Sequence, residues 1–198
     1  MTKTVKHYLK ADALLEKGIE LLWSKGYTAT SVNDIVKVAG VPKGSFYFYF
    51  ESKEDFVIKA IHKYFEEHFE PSRDILLDKS ISPKQRLLNF HQYRCDQVKN
   101  EMNCKLGCMA CNLANELSEH NEQIRLIILE KGDAIRFLIA GVIQEAQDCG
   151  EIDGTMKAID LASFIEDAAK GALTTMKEMQ SSYPIDNFKN IVEHVFLR

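Results

Sequence analysis

The sequence predicts an all-α protein, and three observations carry that prediction. Apolar residues recur at three- and four-residue spacing along most of the chain, the period of a helix with one buried face. Strand-like alternation of apolar and polar residues is nearly absent. The four prolines, at positions 42, 71, 83 and 184, each fall where a helical pattern breaks.

The first helix is predicted over Tyr8 to Lys25, with Leu14, Gly18, Leu21 and Leu22 as its inner stripe and Gly26 just past its end. A mid-helix glycine costs about 1 kcal/mol relative to alanine, so Gly18 predicts a close helix contact. Thr30-Ser31 opens a second helix: Ser31 can cap it, and Asp34, three residues on, can complete a capping box. Ile35, Val36 and Ala39 supply its apolar side. Ala39-Gly40-Val41 reads as a tight turn, and Pro42 as the first residue of a short third helix, about Lys43 to Tyr49. Ser52 caps a fourth helix, with Asp55 at its third position, that runs to about Phe69. A polar stretch is expected from Pro71 to Ser82. Ser82-Pro83 then starts a helix reaching about Lys99. Further helices are expected over Leu106–Ser118, Glu122–Asp148, Thr155–Ser181 and Ile185–Leu197. The resulting domains are 1–55, a three-helix head that continues into a linking helix to about residue 69, and 70–198, a helical body.

Composition narrows the function classes. No apolar run approaches the roughly 20 residues that span a bilayer, and Met1 to Lys10 is polar and basic, without the apolar core of a secretory signal. The expectation is a cytoplasmic protein with no membrane partner. No Gly-rich phosphate loop or Ser/His/Asp pattern can be placed, and the six histidines are scattered. The adjacent Glu166 and Asp167 point to different sides of a helix. No catalytic set, cofactor or metal is therefore expected.

The net charge of −4 argues against nucleic acid, but its distribution argues for it. Seven lysines against Asp12, Glu16, Glu20 and Asp34 leave residues 1–50 at +3, and the remainder at −7. A weakly basic head on an acidic body suits phosphate contact at one end. Two short helices joined by a tight turn with glycine make a helix-turn-helix, whose second helix enters the major groove with its N-terminal residues leading. Those residues here are Lys43, Gly44 and Ser45, followed by Tyr47, Phe48 and Tyr49. Lys43 can meet a phosphate or a guanine edge, and Gly44 lets the backbone come close. The Tyr47 and Tyr49 hydroxyls can donate to phosphate oxygens, contacts that set register. Lys53 adds a charge beside a helix N-terminus that itself favours phosphate. Phe46 and Phe50 are expected inside. Four consecutive aromatics on a short helix cannot all face one core, so some must be exposed.

These residues carry a resemblance. Gly26-Tyr27-Thr28-Ala29-Thr30-Ser31, Val32 to Val36, Ala39 to Phe50 and Ser52 to Phe56 closely resemble the TetR family of bacterial repressors over about the first quarter of the chain. The resemblance implies an N-terminal three-helix DNA-binding domain, with Thr30 and Ser31 among its DNA-facing residues, and a divergent helical regulatory domain. It further implies a homodimer on a pseudo-palindromic operator, released when a small-molecule inducer binds, and no enzymatic activity. The last two helices would form a four-helix dimer interface. The apolar spacing Ile185, Phe188, Ile191, Val192, Val195 and Phe196 fits that role, since such a stripe must be buried somewhere, although packing within the chain would also bury it.

Cys104, Cys108 and Cys111, with Cys95 upstream, leave three readings open. On a helix, their spacing would set three thiols on one face. They can be small buried hydrophobes, the usual fate of unoxidised cysteine. They can instead serve a metal- or thiol-dependent enzyme. The Cys-x3-Cys-x2-Cys pattern of iron–sulfur radical enzymes, however, belongs on a loop of an α/β barrel with an aromatic where Ala110 stands. The third reading comes from resemblance. Gly107-Cys108 followed by Leu113, Glu116, Leu117, Ser118, Glu119 and Arg125 is similar to electrophile-sensing TetR repressors related to the N-ethylmaleimide-responsive regulator. That similarity implies a reactive Cys108, with Lys177, after Gly171-Ala172, as its partner when oxidised; a nearby ammonium favours thiolate. Cys104 and Cys111 are additions to that pattern.

Overall fold

The computed structural model describes residues 3–100 and 104–198, with side chains from Ala11 onward. Among the described residues there is no strand. The helices run α1 (Lys3–Lys25), α2 (Val32–Val38), α3 (Lys43–Tyr49), α4 (Lys53–His68), α5 (Glu70–Leu77), α6 (Pro83–Asn100), α7 (Met109–Leu117), α8 (Glu122–Asp148), α9 (Ala158–Met179) and α10 (Tyr183–Ile191). A single π-helical turn, Val192–Phe196, follows α10. None of these helices is long and apolar enough to cross a membrane. The chain divides into two compact units, Met1–Glu66 with Met109–Ile128, and Glu67–Cys108 with Leu129–Arg198.

In the first unit α1 packs on α2 and α7, and α2 packs on α3. Leu14, Ile19, Leu22 and Trp23 bury the inner face of α1. Gly18 is where this face meets α4: a Cβ there would stand 2.3 Å from Cζ of Phe56. Phe56 is fully buried, with its ring centroid 5.6 Å from that of Phe46 and 5.0 Å from that of Phe50. Burying each such ring contributes about 1.5–3 kcal/mol. Gly26 ends α1 at φ +81, a left-handed conformation that glycine adopts without penalty, and its N–H donates to the Leu22 carbonyl.

The capping box is present as expected. The Asp34 N–H donates to Ser31 Oγ at 3.1 Å, and the Ser31 N–H donates to Asp34 Oδ2 at 2.9 Å. Hydrogen bonds from Ser31 hold the Asp34 carboxyl below the usual carboxylate range. Substituting Ser31→Ala is expected to lower stability by about 1 kcal/mol, the usual worth of an N-cap, read by urea denaturation. At α4 the Asp55 N–H donates to Ser52 Oγ at 3.0 Å, while Asp55 Oδ2 reaches back to the Glu51 N–H. Pro42 stands one position earlier than expected, as the N-cap of α3.

The second unit holds the main departure from expectation. The stretch after Pro71 is a helix, α5. Pro71 occupies its first turn, Ser72 Oγ donates to the Phe69 carbonyl at 2.7 Å, and Leu76 is fully buried. Arg86 of α6 is buried beneath it, donating to the Leu76 carbonyl at 2.8 Å and pairing with Glu145 of α8. Arg94 pairs with the buried Glu166 of α9 at 2.6 Å, whereas the exposed Asp167 pairs with Lys170, so the two acids face opposite ways. His91 is buried, and burial pushes its pKa down to about 3, which keeps the imidazole neutral. Cys95, Met176 and Ile185 form a core cluster against which Cys104, Leu173 and Phe188 pack. The C-terminal stripe is split: Ile185 and Val192 are buried within the chain, while Ile191 and Val195 are exposed. The π-helical turn shifts the last residues off the period from which one stripe was inferred.

Candidate nucleic-acid interface

The geometry of the site follows from how α2 and α3 are held. Phe46 faces inward at the centre of α3, and Phe50, the α3 C-cap, closes the aromatic cluster with Phe56. A helix pinned by Phe46 must turn its other faces outward. Lys43 and Gly44 are exposed, and Ser45 and Tyr49 half-buried. Tyr47 keeps 55% and Phe48 69% of their surfaces exposed, high for such large rings. A Cβ on Gly44 would meet nothing within 4 Å, so packing within the chain does not require glycine there. Ser31 is exposed at the α2 N-cap.

Two expected contact residues are placed differently. Thr30 is fully buried, and its hydroxyl donates to the Gly26 carbonyl at 2.6 Å, closing the α1–α2 turn. Lys53 is half-buried. Its ammonium donates to the Tyr27 carbonyl at 2.6 Å and lies 3.9 Å from the Tyr27 ring centroid. Burial lowers the Lys53 pKa, opposed by the charge of Glu116. That ammonium is committed to Tyr27 rather than held out as a charge for phosphate.

Glu116, on α7, was not anticipated as a part of this region. Its Oε2 accepts the Tyr27 N–H at 2.7 Å and its Oε1 the Thr28 N–H at 2.6 Å. Burial raises its pKa, but hydrogen bonds from Thr28 and Tyr27 and the Lys53 charge outweigh burial and hold the carboxyl below its ordinary value.

The cysteines do not share one helix face. Of Cys104, Cys108 and Cys111, the first sits in a turn at φ +56 and the second precedes α7, so Cys111 alone of the three is helical. The helix expected from Leu106 begins at Met109 because Gly107, at φ +67, breaks it. Gly107 runs against α9: a Cβ there would lie 3.8 Å from the Leu173 carbonyl oxygen and 3.9 Å from Cδ of Lys177. Lys177 itself is exposed. Burial pushes the Cys95 thiol up to about 11, and no cysteine is in a disulfide. Among the described residues, no group of three His, Cys, Asp or Glu side chains is arranged to hold a metal ion.

Comparison with known proteins agrees with this architecture. Residues 14–66 match the family model described as bacterial regulatory proteins, tetR family, and residues 83–192 match that of a tetracyclin repressor-like C-terminal domain. The HTH-type transcriptional repressor DhaR of a Mycobacterium species is 30% identical over 93% of this chain and 90% of its own length. The HTH-type transcriptional repressor NemR of Escherichia coli is 24% identical over 97% of this chain and 98% of its own. The crystal structure of a regulatory protein TetR from Rhodobacter sphaeroides superposes with a TM-score of 0.86 at 29% identity, covering 95% of this chain and 99% of that one. With both its head and its body matched, the chain belongs to the TetR family of bacterial regulatory proteins.

Proposed function

We propose that this protein is a DNA-binding transcriptional repressor. It acts as a homodimer on a pseudo-palindromic operator and is released by a small ligand or by modification of Cys108. The observation that carries this reading is α3, whose aromatic core residue leaves Lys43, Gly44, Tyr47 and Phe48 facing outward from a capped helix pair. Lys43 and the hydroxyls of Ser45, Tyr47 and Tyr49 are the groups that would meet the duplex, whereas the Ser31 hydroxyl donates to Asp34 Oδ2 at 2.5 Å within the capping box. Dimerisation is supported by apolar side chains left exposed on α9 and α10, among them Phe164, Met179, Tyr183 and Ile191. Ligand occupancy or modification would bias the spacing of the two heads, and with it the fit to two half-sites.

Support for Cys108 as the sensor is the approach of Lys177 to Gly107, which puts an ammonium-bearing side chain beside the cysteine's own segment. With N-ethylmaleimide the Cys108 thiolate adds to the maleimide double bond, forming one S–C bond. The resulting enolate then takes a proton from water. Gel shifts with the region upstream of the protein's own coding sequence test both parts. Wild type is expected to bind at low salt and to be released by N-ethylmaleimide, whereas Cys108→Ser binds and is not released. Release of Cys108→Ser at the wild-type dose would end the cysteine proposal and leave DNA binding standing. No shift by wild type would end the repressor reading.

A further inference from the structure

We infer that Glu116 is a positioning residue for DNA binding, the group through which α7 fixes the α1–α2 turn and, with it, the capped start of α2. The inference rests on the reading of α3 as the DNA-contacting helix. The two amides that Glu116 holds, Tyr27 and Thr28, belong to a turn where no helical carbonyl is in register to accept them, so the donors need a partner from elsewhere. One carboxylate supplies both bonds, at 2.7 and 2.6 Å, from a residue 89 positions away from Tyr27. Lys53 takes the Tyr27 carbonyl at 2.6 Å. The N–H and C=O of Tyr27 are thus both held by charged side chains, from α7 and α4, and such charge-assisted bonds are stronger than neutral ones.

Three further features fit. A Cβ on Gly26 would stand 2.7 Å from Oε2 of Glu116, so the turn approaches the carboxylate as closely as a bare backbone allows. The segment after α7 adds a second tie to the same unit: Asn121 Nδ2 donates to Glu54 Oε1, near the start of α4, at 2.7 Å. Thr30, next in the turn, is fully buried with its hydroxyl on Gly26, so the geometry of the clamped turn passes directly to Ser31, the α2 N-cap. Glu116 spends both carboxylate oxygens on backbone amides, so it acts on DNA only through the position of α2 and α3.

The experiment compares full-length wild type, Glu116→Ala and Glu116→Gln by amide hydrogen exchange and by operator titration at several salt concentrations. In Glu116→Ala, exchange should rise at Tyr27 and Thr28 while amides in the middle of α4 keep wild-type protection. Operator affinity should fall by about tenfold, as for loss of a charge-assisted pair of bonds. The slope of log K against log salt should stay unchanged, because no phosphate contact is removed. Glu116→Gln, which keeps one carbonyl oxygen to accept an N–H, should recover part of both losses. Unchanged exchange at Tyr27 and Thr28, or wild-type operator affinity in Glu116→Ala, overturns the inference. Faster exchange throughout the unit, with no recovery in Glu116→Gln, also overturns it and leaves Glu116 as a general stabiliser. If wild type itself ignores operator DNA, the repressor reading fails, and exchange at the two amides still decides the clamp.

Discussion

Replacing Lys43 and Tyr47 together by alanine is expected to cost at least about 30-fold in operator affinity, with the fold intact. Both side chains point away from the core: Lys43 is exposed in the first turn of α3, and Tyr47 keeps more than half its surface. Removing them leaves Phe46, Phe50 and Phe56 in place, so the head retains its buried rings. A hydrogen bond of this kind is worth about 0.5–1.5 kcal/mol, and losing two of them in each of two heads comes to at least about 2 kcal/mol. The charge should show separately. Lys43→Ala alone removes one cation per head, so the slope of log K against log salt should become shallower by about 2 per dimer. Anisotropy titrations at four salt concentrations read both effects. Wild-type affinity in the double variant would mean that α3 is not the contacting helix.

Gly18→Val is expected to be the most damaging single change to the head. A Cβ at position 18 already stands 2.3 Å from Cζ of Phe56, and valine adds two methyl groups to it. Phe56 cannot swing aside, since Phe46 and Phe50 lie against it and all three are buried. Overpacking costs about 1–3 kcal/mol, and the upper end applies where the obstacle is a ring without room to move. The better helix propensity of valine over glycine offsets only a few tenths of a kcal/mol. A loss of about 3 kcal/mol is a large share of a stability of about 5–15 kcal/mol, so the midpoint of urea unfolding should drop well below that of wild type. An unchanged midpoint would mean that the α1–α4 contact is looser than these distances indicate.

Local chemistry was legible in the sequence wherever a residue type had one conformational purpose. Ser31 and Asp34 announce a capping box at three-residue spacing, and both bonds form. Gly18 announces a close approach, and Phe56 supplies it. The all-α class and the bounds of α8 follow from apolar period alone. What was not legible depends on partners far along the chain. Helix α5 was hidden because the apolar residues of Glu70–Leu77, Ile75, Leu76 and Leu77, are consecutive and show no helical period, and Leu76 finds its burial over Arg86 of α6. Thr30 and Lys53 have the residue types that suit phosphate, but the Gly26 and Tyr27 carbonyls claim them first. The thiol spacing suggested one helix face until Gly107 interrupted it. Glu116 could not be found from spacing at all, because it meets backbone amides, which carry no sequence signature.

The α2–α3 pair is expected to read a specific operator. This is tested most directly by titrating the full-length wild-type protein onto a labelled duplex from its own upstream region and onto a scrambled duplex of equal length, at several salt concentrations. Binding to the upstream duplex is expected to be at least about a thousandfold tighter than to the scrambled one at physiological salt and to weaken steeply as salt rises. Equal, weak binding to both duplexes at low salt would contradict that expectation.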